Sequence, residues 1–264
     1  MGRVGRALVW HELLERTRDR WVIVISVLFA MLASGVSLYG RSAEAEVAKL
    51  TGPSLVTLSS LLVPLVALVL SHDAIVGERE RNTLGLLFSL PVSRFEVVAA
   101  KLIGRSLALA AAVGLGLGAA MLVSEPEGSG ALRALMGPTL LLGLAFLSMG
   151  LLISTLARRQ TTAASIVVVV WFGLVFFYDL GVLGLLIVSD GELPQSLVSA
   201  LVVGNPTGLY RIQMMHAFTS TDALQDLGLS MGPPGTLTTW LLWGGWFVVP
   251  AAISGALLWR RKVV

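Results

Sequence analysis

Cysteine is absent from all 264 residues. That excludes a disulfide framework, a thiolate-held metal and a cysteine nucleophile. Charge is scarce: Asp, Glu, Lys and Arg make up 13% of the chain, against roughly 25% in a soluble domain. Among three histidines, His11 and His72 have no partner cluster and are assigned no metal. No G-x-x-x-x-G-K-[ST] occurs, so the chain has no loop to cradle ATP phosphates by itself. H-E-x-x-H and G-x-S-x-G are missing too, which removes zinc-protease and nucleophile-elbow chemistry. No basic patch interleaved with aromatics points to nucleic acid.

What fills the chain is apolar. Hydrophobic residues reach 55% and mean hydropathy is +0.83, which defines an all-α integral membrane protein. A crossing helix needs about 20 apolar residues, and six stretches qualify: about Trp21–Tyr39, Ser54–Ser71, Phe95–Val123, Leu132–Ala157, Thr161–Val188 and Thr236–Trp259. Trp21, Tyr39, Trp240 and Trp259 stand at their ends, as interfacial aromatics do. Residues 1–20 are too charged for a signal peptide. Val4, Ala7, Leu8, His11 and Leu14 recur there at helical spacing beside Trp10, which predicts an amphipathic helix lying in the interface. A solvated tail is the alternative. The domain division is thus an interfacial helix, 1–20, and a six-helix transmembrane domain, 21–264.

Positive charge sets the orientation. With the N-terminus inside, fifteen Lys and Arg fall on inner segments, and only Arg41, Lys49, Arg133 and Arg211 fall outside. This bias places both termini in the cytoplasm of a plasma (inner) membrane. Arg158 and Arg159 form an inner loop that anchors to lipid headgroups or touches a partner's edge. The outer segment 189–235 is long and contains the apolar pieces SLVSALVV and GLYRIQMMHAF. They are too short to span, so short helices, re-entrant or forming a docking platform, are expected. Pro126, Gly128 and Gly130 suggest a plain turn. Pro64 and Pro250 predict kinks in the second and sixth spans. Gly114-x-x-x-Gly118 predicts a close helix–helix contact.

Residues 72–94 are the charged excursion between the second and third spans. About Thr83–Leu90 should be a helix of two turns, started by Asn82 or Thr83 and ended by Pro91. Leu84, Leu87 and Phe88 form its apolar side, and Glu78, Arg79, Glu80 and Arg81 a polar lead-in. Ser93-x-x-Glu96 has the form of a capping box, with Val92 and Val97 at the hydrophobic-staple positions. Within the spans, Asp179 is an intramembrane acid, a functional-site hypothesis by default; a water-exposed or tyrosine-bonded carboxylate is the plainer alternative. Met214, Met215 and His216 carry soft and imidazole donors suited to copper. Adjacent helical residues point apart, however, so an ordinary apolar face with one histidine is preferred and no metal is assigned.

The run Glu78-x-Glu80-x-x-Thr83-Leu84, then Leu90-Pro91-Val92-Ser93-Arg94 and Lys101, resembles the signature of ABC-2 type (type V exporter-like) permeases. Asn82 departs from it, standing where many members have glycine. The resemblance implies a non-catalytic transporter subunit whose short cytoplasmic helix docks on a separate ABC ATPase. Glu78, Arg79, Glu80, Arg81, Thr83, Leu84, Leu87, Phe88, Pro91 and Arg94 are the coupling residues it implies. It also implies a homodimer, with ATP and Mg held by the partner ATPase. Asn205-Pro206, Arg211 and the acid in Phe176-Phe-Tyr178-Asp179 are similar to a branch serving multicopper-enzyme maturation. That branch implies a periplasmic β-helical subunit, a role in assembling the copper–sulfur centre of nitrous oxide reductase, and a copper or sulfur species as cargo. An exporter of lipid, peptide or drug is the alternative, and a membrane scaffold or intramembrane enzyme the second.

Overall fold

The computed structural model describes residues 3–17, 20–42, 51–89, 93–124, 126–218 and 234–260. Among them every regular element is helical. The chain opens with α1 (Arg3–Thr17), α2 (Arg20–Ser42) and α3 (Thr51–Ser71). Two short helices follow, α4 (Val76–Glu80) and α5 (Leu84–Ser89), and then two long ones, α6 (Arg94–Val123) and α7 (Pro126–Leu156). Next, α8 (Gln160–Phe172) passes through a π-helical turn, Gly173–Phe177, into α9 (Tyr178–Val188). Helices α10 (Gln195–Gly204), α11 (Pro206–Phe218) and α12 (Thr236–Arg260) complete the fold.

Five stretches are long and apolar enough to cross a membrane: Gly52–Glu80, Arg94–Val123, Leu132–Leu156, Gln160–Val188 and Thr236–Trp259. They match the second to sixth expected spans. The first expected span is α2, 23 residues long, whose apolar part among the described residues, Ser26–Gly40, is shorter. The stretch in α7 is 72% buried and that in α8–α9 only 11%. So α7 is the hub, packed by α3, α6, α11 and α12, and the fifth span is the peripheral one.

Both prolines lie inside helices, Pro64 in α3 and Pro250 in α12. Each interrupts the backbone ladder, and a neighbouring helix supplies a donor three residues upstream. Trp171 Nε1 donates to the Leu61 carbonyl at 3.0 Å, and Ser148 Oγ donates to the Phe247 carbonyl at 2.6 Å.

Two expectations are corrected. Pro126, Gly128 and Gly130 do not form a plain turn; α7 begins at Pro126. A proline at the first helical position loses no hydrogen bond, because that N–H has no intrahelical partner. Among the described residues the Gly114–Gly118 pair makes no close contact, since a Cβ at either would meet nothing within 4 Å. The tight glycine is Gly116, where a Cβ would lie 2.3 Å from the Phe29 ring of α2. The spacing picked the right helix and the wrong face.

Candidate functional site

At one end of the bundle, α4 and α5 lie across the ends of α3, α6, α7 and α8. The charged run is built into this seat rather than left in solvent. Ser154 Oγ of α7 accepts the Ile75 and Val76 amides at 2.9 and 3.1 Å, fixing the start of α4. Arg79 donates to the carbonyls of Ala157 (2.6 Å) and Thr155 (3.4 Å) at the C-terminus of α7. Glu80 Oε1 accepts the Gln160 amide, 2.9 Å away, at the N-terminus of α8. Arg94 donates to the carbonyls of Leu258 and Trp259 at the C-terminus of α12, the second at 3.2 Å. Each charge has the sign that complements the helix end it meets.

The lead-in is itself helical, where the sequence suggested only a polar run. It ends in a Schellman motif: the Thr83 amide reaches the Glu78 carbonyl at 2.9 Å and the Asn82 amide the Arg79 carbonyl at 3.2 Å. Asn82 takes φ +56° there, a left-handed conformation that favours glycine and tolerates asparagine. Asn82 therefore terminates α4 instead of capping α5. Thr83 is the residue whose carbonyl starts α5, by accepting the Leu87 amide, while its hydroxyl faces back to the Glu78 carbonyl at 3.3 Å. Leu84 is buried and Leu87 packs against the core, so the apolar side of α5 faces the bundle. The Phe88 side chain and Leu90, Pro91 and Val92 lie outside the described residues. The capping box is formed as expected, with Ser93 Oγ accepting the Glu96 amide (3.1 Å) and Glu96 Oε2 accepting the Ser93 amide (2.9 Å).

Beneath α4, among the described residues, runs a ladder of five charges, four of them buried and the fifth, Glu78, partly exposed. Lys101 donates to Glu78 Oε1 at 2.5 Å and to Glu12 Oε1. Arg105 donates through Nε to Glu12 Oε2 at 3.2 Å, through Nη1 to Asp73 Oδ1 at 2.8 Å, and to the Leu70 carbonyl. Lys101 and Arg105 stand one turn apart on α6 and are both buried. Above them opens a cavity of about 580 Å³ between α1 and the α4–α5 segment, with Glu15, Arg81 and Thr83 on its rim. Arg81 is exposed and pairs with Glu15 at 3.8 Å.

Glu12 was the residue missed. The apolar spacing predicted an interfacial helix, and Ala7, His11 and Leu14 are indeed left exposed by the bundle; what it did not show is that Glu12 is buried. Ala7, His11 and Leu14 face outward with Trp10, and the opposite side meets α6 at Gly104. A Cβ on Gly104 would come within 2.6 Å of Glu12 Cβ. The available signal was a carboxylate at mid-helix and two cations four residues apart on another.

A second polar cluster sits at the π-turn of the fifth span. A π-turn leaves carbonyls without their usual partners. Asn205 Nδ2 and Thr207 Oγ1 both donate to the Leu174 carbonyl, at 2.7 and 3.0 Å, and Arg211 Nη2 lies 3.4 Å from that of Val175. Arg211 also binds Asp179, so this acid is ion-paired rather than tyrosine-bonded. Tyr178 donates instead to the Leu201 carbonyl, 2.7 Å away. Residues 195–204 and 206–218 are short helices, as the loop length suggested, and α11 packs against α3 and α7. Met214 is buried and Met215 exposed, so they point apart; the His216 side chain lies outside the described residues.

A bundle of crossing helices with a charged two-helix segment bolted across its end defines a multi-span membrane permease. The sequence matches the model of the ABC-2 family transporter proteins over residues 6–263, and the chain belongs to that family. A probable ABC transporter permease protein NosY of Pseudomonas aeruginosa is 36% identical over 273 aligned positions, covering 97% of this chain and 99% of the relative. Another of the same description, from Stutzerimonas stutzeri, is 34% identical over 272 positions, covering 96% and 98%. The chain is thus a transporter subunit, of a family that works with an ATPase subunit.

Proposed function

We propose that this chain is the permease half of a NosY-type ABC transporter, and that it converts ATP hydrolysis by a NosF-like cytoplasmic subunit into conformational work for maturing the copper–sulfur centre of nitrous oxide reductase. The near-full-length similarity to two NosY permeases carries this reading. Two copies form the translocation unit in the inner membrane, with both termini and the α4–α5 segment cytoplasmic. A NosD-like β-helical subunit sits on the outer α10–α11 side, and copper or a sulfur species is the cargo rather than a resident cofactor.

The mechanism follows from how α4 and α5 are held. ATP-driven closure of the ATPase pair pushes on α5. Ser154, Arg79, Glu80 and Arg105 pass that push to α7, α8 and α6, because each binds a helix end rather than another side chain alone. Leu84 transmits it to the core by contact. None of these residues needs to perform chemistry.

The test is to purify the chain from its native membrane in detergent together with its bound neighbours. An ATPase plus a periplasmic β-helical protein is the expected result. An ATPase alone would favour a lipid, peptide or drug exporter and overturn the maturation role. The double variant Glu78→Ala/Glu80→Ala should insert normally yet lose the ATPase. Co-purification at unchanged stoichiometry, with unchanged ATP hydrolysis, would sink the docking assignment.

A further inference from the structure

Among the described residues the ladder holds three carboxylates and two cations, and the third acid has an informative position. Lys101 is paired with Glu78, and Arg105 with Asp73. Both acids belong to the stretch that carries α4. Glu12 binds both cations as well, from α1. Deleting its charge would leave two one-to-one pairs, each still joining α6 to the α4 stretch. Pairing those cations therefore does not require Glu12. A third carboxylate costs desolvation, since its side chain is only 7% exposed.

We propose that Glu12 is the positioning residue that makes α1 and the coupling segment move as one body. Its two oxygens reach cations one turn apart, so it resists both sliding and rotation of α1 along α6. Gly104, between those cations, lets α1 come close enough for that reach. A further ionic tie among the described residues, Glu15 to Arg81, is long and exposed, and such pairs contribute little. A push on α5 thus passes from Glu78 to Lys101 to Glu12 and carries α1 with it. The outward stripe of Trp10, Ala7 and Leu14 would then move against the lipid that surrounds it, so the stroke would shift an interfacial element as well as the spans.

This inference rests on the ATPase-facing reading of α4 and α5, and the experiment separates the two. Because the chain has no cysteine, Trp10→Cys and Gly85→Cys, both at exposed positions, take spin labels specifically. The labelled chain, diluted with unlabelled chain and complexed with its ATPase, is reconstituted in lipid nanodiscs. Distances are measured without nucleotide and with ATP trapped. The wild-type background should give one narrow distribution, the same in both states. Glu12→Gln should assemble at wild-type stoichiometry but broaden the distribution at least twofold on ATP trapping, and Glu12→Asp should restore most of the narrowness. The proposal is overturned if Glu12→Gln stays as narrow as wild type in both states. It is overturned equally if Glu12→Gln and Glu12→Asp both fail to insert, which would make the carboxylate a folding element. Failure of the ATPase to bind the wild-type chain would strike the functional reading instead.

Discussion

The two polar clusters solve one problem in different ways. Both fasten a short helical segment onto a discontinuity in a long one. At the α4–α5 end the fastening is ionic and shared: Glu12 serves two cations, and Lys101 and Arg105 each serve two carboxylates. At the π-turn it is mainly neutral and aimed at backbone, with Asn205 and Thr207 on the Leu174 carbonyl. An ionic ladder with redundant partners can lose or exchange one contact and remain paired. A backbone carbonyl in the middle of an apolar span has no water to fall back on, so its donors must stay. The first arrangement suits a part that moves, and the second a part that holds.

Four substitutions break or sharpen this contrast, from the largest effect down. Arg105→Met takes a buried cation away from Asp73, leaves Glu12 to share Lys101 with Glu78, and removes this donor from the Leu70 carbonyl, so it should cost about 3–5 kcal/mol, as removal of one partner of a buried pair does. The purified protein should melt far below wild type or fail to insert; a melting temperature within a degree of wild type would show that the ladder is not buried. Asn205→Ala should cost about 1–3 kcal/mol through the partly abandoned Leu174 carbonyl. Thermal unfolding in detergent measures it, and combining it with Thr207→Val should cost more than the sum, because each remaining donor covers for the other. Gly104→Ala drives a methyl toward Glu12 Cβ and should cost about 1–3 kcal/mol, the usual range for overpacking. Its mark is selective protease access to α1 while the rest of the bundle stays protected. Asp179→Asn breaks a half-exposed pair and should change stability by about 1 kcal/mol or less. A larger loss would show that the pair is shielded from water by a subunit bound on the α10–α11 side.

Much of the fold was legible because apolar length is a strong signal. The third to sixth spans appeared within a residue of the apolar stretches found, and the second within two at its start, though the stretch found there runs on through α4 to Glu80. The Ser93–Glu96 box was legible because a capping box is local: the side chain and the amide it satisfies are three residues apart. The glycine pair was misread because spacing says which residues share a face but not which face meets a neighbour. The turn at Pro126 was misread because proline and glycine also begin helices. The π-turn gave no sequence signal, lying as it does in the uniformly apolar run of the fifth span.

By itself, then, the sequence determined the membrane class, the long crossing helices, the position of the charged excursion and the capped start of α6. Each depends on hydropathy or on partners a few residues apart. Tertiary structure alone decided that Glu12 is buried, that Glu78 and Asp73 share its cations, and that Asn205 and Thr207 close the π-turn. A glutamate on an isolated helix is indistinguishable from a solvated one. It becomes a joint only when Lys101 and Arg105, some ninety residues away in sequence, are folded against it.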